Sequence, residues 1–100
     1  MNMSPAFQFD HSTPGTLGLI GVLSFDTAAA ALHAIQAELT RDAPTQLDLA
    51  GVTHSDSAGL ACILAVVADA DRRGHAVGLA NMSAAMQALA RVCEVDRLIA

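Results

Sequence analysis

Leu47-Asp48-Leu49-Ala50-Gly51-Val52, then Thr53-His54-Ser55-Asp56-Ser57, then Ala58-Gly59-Leu60-Ala61-Cys62-Ile63-Leu64 is the stretch that decides the fold. Gln46 to Ala50 alternates around Leu47 and Leu49, and Val52 extends the pattern. A period of two marks a strand, predicted over 47–52 at the centre of a sheet. The period then changes. Leu60, Ile63, Leu64, Val67 and Ala70 recur at helical spacing and form the inner stripe of a helix predicted over 57–73. Asp69 and Asp71 lie off that stripe, and Gly74 suits a left-handed C-terminal cap. If Leu64 is fully buried, Leu64→Ala should cost roughly 2–5 kcal/mol.

Upstream, Leu17 to Leu23 is apolar, interrupted only by Gly18 and Gly21, and reads as a buried strand. Asp10 to Gly15 has turn composition, and Phe7-Gln8-Phe9 alternates before it as a first strand. Asp26 or Thr27 can cap a helix over 27–40 whose face carries Leu32, Ile35 and Leu39. That helix must stop before Pro44. Downstream, Ala76 to Ala80 is a short strand. Asn81 or Ser83 caps a third helix with Met82, Met86, Leu89 and Ala90 on its apolar face, reaching toward Cys93. Val95, Leu98 and Ile99 close the chain. The order β-β-α-β-α-β-α predicts a single α/β domain over 1–100. Its sheet is mixed, with about four strands and about three helices packed on it, the first two strands pairing as a hairpin.

Composition narrows the function. Hydrophobic residues make up 53% of the 100 residues, ample for one core. There are three Phe and no Trp or Tyr, so aliphatic side chains and Met must fill it. A net charge of −5 repels nucleic acid and anionic membranes. Arg41, Arg72, Arg73, Arg91 and Arg97 form no patch that would reverse this, and Arg72-Arg73 complements a helix C-terminus. Cys62 and Cys93 lie inside apolar helical patterns, which predicts buried free thiols in a reducing compartment. The N-terminus has no signal-peptide pattern. The most apolar run, Ala58 to Ala68, is about half of the ~20 residues a membrane span needs. The expectation is a cytoplasmic protein without direct membrane insertion, brought to any membrane by another protein.

The densest polar cluster is Thr53 to Gly59. Asp56 or Ser57 can accept bonds from the first N–H groups of the following helix. Gly59, lacking a side chain, would let another protein's backbone come close. The helix N-terminus favours an anion, including a phosphate on Ser57. Asp-Ser before an apolar helix is equally an ordinary capping sequence. Catalysis has little to stand on. The Walker pattern is absent. His54, Asp56 and Ser57 are too close in sequence to orient one another as a triad. A nucleophile elbow would need Gly where Ser55 stands. His11, His33, His54 and His75 are scattered, with no pair at ligand spacing, so neither a metal nor another cofactor is expected.

These residues resemble a known family. Leu47 to Val52 followed by Asp56-Ser57-Ala58-Gly59-Leu60-Ala61 is similar to the STAS signature: a hydrophobic strand, a short loop, then Asp-Ser/Thr-x-Gly-Leu opening a helix. Asp71 to Leu79 is similar to the family's helix end and next strand, and Gly21-Val22-Leu23 with Thr27 fits the earlier strand and helix start. The resemblance covers nearly the whole chain. It implies a non-catalytic protein-binding domain.

Two branches of the family bear on the partner. The chain looks most like the small STAS subunits of bacterial phospholipid-trafficking ABC transporters, which bind the ATPase subunit. In the anti-sigma factor antagonists, the motif serine, matched here by Ser57, is phosphorylated by a partner kinase. That branch usually carries an acidic residue soon after the second strand. Ser24-Phe25 stand there, and acid arrives only at Asp26. On either branch the expected docking surface is Thr53, His54, Ser55, Asp56, Ser57, Ala58 and Gly59 with Ser24, Asp26 and Thr27 beside it. If the strands before the two segments run parallel, both segments emerge at the same edge.

Overall fold

The computed structural model describes residues 7–93. Val95, Arg97, Leu98 and Ile99 lie outside them. Strands β1 (Phe7–Asp10), β2 (Thr16–Leu23), β3 (Gln46–Ser55) and β4 (Gly78–Ala80) alternate with helices α1 (Ala28–Asp42), α2 (Ser57–Arg72) and α3 (Ala84–Val92) in the expected order. The strands form one sheet in the order β1-β2-β3-β4. β1 and β2 pair antiparallel as a hairpin, with Phe7 opposite Gly21 and Asp10 opposite Gly18. β2 with β3, and β3 with β4, pair parallel, so β3 is central.

Alternation decides which face is buried. Leu17, Leu19 and Leu23 of β2 and Leu47 and Leu49 of β3 share one core with Ala31 and Ile35 of α1, Leu60, Ile63 and Val66 of α2, and Met86 and Ala90 of α3. Gln8, Asp10, Ile20 and Ala50 are exposed. Phe7 and Phe9 pack against the margin of the core, edge to face with centroids 5.7 Å apart.

The stripe of α2 is turned from the one the sequence predicts. Leu60, Ile63 and Ala70 are buried as expected, but Cys62 and Val66 join them, while Leu64 and Val67 are only partly buried. The reason is angular. At 100° per residue, Cys62 and Val66 fall on the side of Ile63 facing the core, and Leu64 falls on the opposite flank. Leu64 and Val67, with Ala68 and Val77, instead line an apolar groove of about 620 Å³. On α1, likewise, Ile35 is fully buried with Ala31 and Glu38, whereas Leu32 and Leu39 are partly buried. Ile63→Ala is therefore expected to cost about 2–5 kcal/mol. Leu64→Ala should cost less than Ile63→Ala, and urea midpoints of the two variants check the order.

Two more expectations are corrected. Cys93 is exposed; only Cys62 is buried, and burial pushes its thiol up to about 11. β3 runs on through Thr53, His54 and Ser55, which the sequence assigns to a loop. β3 inserts an extra residue against β2 at two irregular points, between the pairs Gly18–Asp48 and Ile20–Gly51, and between Gly21–Val52 and Val22–His54. Gly51 permits the first. A Cβ there would lie 2.8 Å from the carbonyl oxygen of Leu19.

Candidate functional site

Because β2 and β3 are parallel, the connections after them leave the sheet at one edge. Asp56 joins the two. Its Oδ1 accepts a hydrogen bond from the Gly59 N–H at 3.0 Å, capping α2, and its Oδ2 accepts from the Phe25 N–H at 3.0 Å. Its own N–H donates to the Leu23 carbonyl at 3.3 Å. The carboxylate thus fixes a helix start and the β2–α1 connection together. These N–H groups, that of Gly59 first and that of Phe25 next, hold the Asp56 carboxyl below its ordinary value.

A depressed folded-state pKa stabilises the fold above the ordinary carboxylate value, and the stabilisation is lost as pH falls through the folded-state value. The melting-temperature gap between wild type and Asp56→Ala should therefore be widest near neutral pH. It should narrow as the pH drops below about 4. Melts of both proteins across pH 2–7 check this, and a gap independent of pH would count against the assignment.

Thr27 orders the other segment. The Ser24 N–H donates to Thr27 Oγ1 at 2.9 Å, and the Thr27 hydroxyl donates to the Val22 carbonyl at 2.9 Å. Thr27 occupies the N-cap position of α1 without a side-chain capping bond, and its hydroxyl closes the turn behind it instead. Asp26 is exposed. On the β3–α2 side, Ser57 is the first residue of α2 and is exposed, as are Thr53 and His54, while Ser55 and Ala58 are partly buried. Thr53 Oγ1 donates to the Gly21 carbonyl at 3.2 Å.

Gly59 corrects an expectation. It is buried, and the backbone that comes close to it is the chain's own. A Cβ on Gly59 would stand 2.1 Å from the Leu23 carbonyl oxygen. The glycine lets α2 start directly against the end of β2.

Both Asp56 oxygens accept from backbone N–H groups, and among the described residues no side-chain hydrogen bond joins Asp56, His54 and Ser57. A nucleophile without an oriented base is unactivated.

A second polar cluster, invisible in the sequence, lies where α1 ends beside the β1–β2 turn. Glu38 is buried with 8% of its surface exposed, and its two oxygens pair with His11 and Arg41. His11, Glu38 and Asp42 offer ligand atoms within 4.8 Å of one another. Arg41 supplies the countercharge of Glu38 within α1, and the contact of Glu38 with His11 ties the helix to the β1–β2 turn. At the end of α2, Arg72 and Arg73 both pair with Asp69. Among the described residues, no helix is long and apolar enough to cross a membrane.

Fold and site together define a two-layer α/β domain with mixed sheet. Its polar connections gather at the C-terminal edge of a parallel strand pair, tied by one aspartate. The chain belongs to the STAS family: residues 7–100 match the family described as "Mlab, STAS domain". No curated protein is similar enough to match. Solved structures share the fold, among them two of SpoIIAA. One is the anti-sigma factor antagonist SpoIIAA in its unphosphorylated form, 20% identical, with a TM-score of 0.63 over 86% of this chain and 82% of that one. The other is the Bacillus cell fate determinant SpoIIAA in the phosphorylated form, 18% identical, with a TM-score of 0.65 over 93% and 87%. At these identities the likeness carries the fold alone.

Proposed function

We propose that the chain is a non-catalytic cytoplasmic STAS subunit that binds the ATPase subunit of an ABC transporter for phospholipid trafficking, supporting outer-membrane lipid asymmetry. The observation that carries this is the family match over residues 7–100, by its description. The docking surface is the edge formed by Thr53 to Ala58 and Ser24 to Thr27, with Gly59 buried behind it. An acidic chain with no oriented nucleophile suits a protein partner better than a substrate or a nucleic acid. The partner, rather than the chain itself, places it at the inner membrane.

A second reading rests on Ser57. It is exposed on the first turn of a helix whose N–H groups favour a phosphate. In an anti-sigma factor antagonist a kinase would modify Ser57 and so break the partner complex. One experiment separates the two. The purified chain is titrated with the purified ATPase subunit of the phospholipid transporter from its own cells, and separately with an anti-sigma factor kinase and ATP. Saturable binding to the ATPase with no phosphate on Ser57 supports the first reading. Phosphate incorporation that Ser57→Ala removes supports the second.

A further inference from the structure

On the reading just proposed, that this edge docks a partner, we infer that Phe25 is the anchor of the interface. It enters an apolar pocket on the partner protein whose rim carries basic or N–H donor groups. Of the three Phe in the chain, Phe7 and Phe9 pack against the core. Phe25 alone stands out from it, 81% exposed. A ring this exposed contributes little burial to the fold, so the domain loses little by offering it elsewhere.

The mount is rigid. The Phe25 N–H is held by Asp56 and the Ser24 N–H by Thr27, and past the ring the Thr27 and Ala28 N–H groups donate to the Ser24 carbonyl, so the backbone before and after the ring is tied before any partner arrives. Binding then orders only the two torsions of the ring, which lowers the entropic cost of association. An aromatic side chain presented from an ordered loop, with polar neighbours around it, is the form that dominant interface contacts take. Ile20 and Val92 are the other large apolar side chains exposed among the described residues. Ile20 lies within β2 and Val92 is the last residue of α3, whereas Phe25 lies in the β2–α1 connection itself.

Charge sets the rim of the partner's pocket. Asp26 is exposed next to Phe25, while Arg41, Arg72 and Arg73 are at the far ends of α1 and α2. The edge around the ring is therefore acidic for this chain. Its complement is a pocket floored by apolar groups and bordered by Arg, Lys or backbone N–H groups.

The chain has no Trp or Tyr, so Phe25→Trp places a single fluorescent reporter at the anchor. Wild type, Phe25→Trp, Phe25→Ala and Val92→Ala are titrated with the purified transporter ATPase subunit, with thermal melts of each. Phe25→Trp should emit at the long wavelength of an exposed indole when free and shift to shorter wavelength as ATPase is added. Phe25→Ala should weaken affinity roughly 30-fold or more with an unchanged melt, and Val92→Ala should bind as wild type does. Wild-type affinity in Phe25→Ala overturns the inference and leaves the docking reading standing. A lowered melt for Phe25→Ala, or short-wavelength emission from free Phe25→Trp, means the ring is packed within its own chain and also overturns it. If wild type does not bind the ATPase, the functional reading fails. The same titration against the anti-sigma factor kinase then decides Phe25 by the same loss or retention of affinity. Silence from both proteins overturns the inference along with the reading it rests on.

Discussion

Gly59→Ala is expected to destabilise the domain by about 3 kcal/mol or more, the upper end of what overpacking costs. Helix propensity alone favours the substitution, by about 1 kcal/mol, so the expected sign comes entirely from tertiary structure. The added methyl would lie 2.1 Å from the Leu23 carbonyl oxygen and 2.8 Å from the carbonyl carbon. Both are backbone atoms in a strand, and no side-chain rotation relieves the clash. Relief requires the first turn of α2 to move off β2. That movement pulls the Gly59 N–H away from Asp56, and Asp56 away from Phe25. The loss therefore spreads from one overlap to both connections at the edge. Against a typical total stability of 5–15 kcal/mol, the urea midpoint should fall far enough to leave a marginal protein. A midpoint equal to or above that of wild type would show that propensity wins and that the contact with Leu23 is loose.

How much of this was legible in the sequence follows from the range of each interaction. The change of period between Val52 and Leu60 is local, and it places β3 and α2, although β3 runs on through Ser55, where the polar residues read as a loop. The hairpin, the mixed sheet and the central place of β3 follow from the alternation of strands and helices; that β2–β3 and β3–β4 are parallel is supplied by the fold. The meeting of Ser24–Thr27 with Thr53–Gly59 was legible only on the condition that β2 and β3 run parallel, since parallel strands deliver their C-terminal connections to one edge. What remained hidden was specific pairing across the chain. Asp56 reads as a cap from its neighbours, but nothing near it announces that its second oxygen holds the N–H of Phe25. Glu38 sits on a helix like any surface acid, and its burial depends on His11, which is distant in sequence, and on Arg41. Gly59 invites a visitor when read locally. Only the fold reveals that Leu23 already occupies the space. The stripe of α2 was misplaced because Leu and Val look alike to a periodicity. The direction from which β2 approaches decides that Val66 is inside and Leu64 is on the flank.

Ser57→Asp is expected to abolish partner binding while the domain stays folded. Ser57 is the first residue of α2, exposed, and makes no capping bond; that role belongs to Asp56. A carboxylate at this position meets the positive end of the helix dipole, which favours it. The neighbouring Asp56 opposes it, and its own charge is already engaged by two backbone N–H groups. The melting temperature should therefore hardly move. An interface is a different environment. If the edge docks a partner, Ser57 is desolvated within it opposite groups that complement a hydroxyl, and a carboxylate without a counterion placed at Ser57 itself, apart from the basic border around Phe25 and Asp26, costs several kcal/mol, enough to erase a typical affinity. Ser57→Ala removes only a small polar group and Ser57→Thr adds only a methyl, so both should retain most binding where the contact is steric. The set also separates the two functional readings. In a transporter subunit, Ser57→Ala behaves as wild type under all conditions. In a kinase-switched antagonist, it binds constitutively and ATP no longer releases the partner. Titration of wild type and the three variants, each with a thermal melt, supplies every comparison. A folded Ser57→Asp that binds as tightly as wild type would show that the partner docks elsewhere, and the proposed surface would have to be given up.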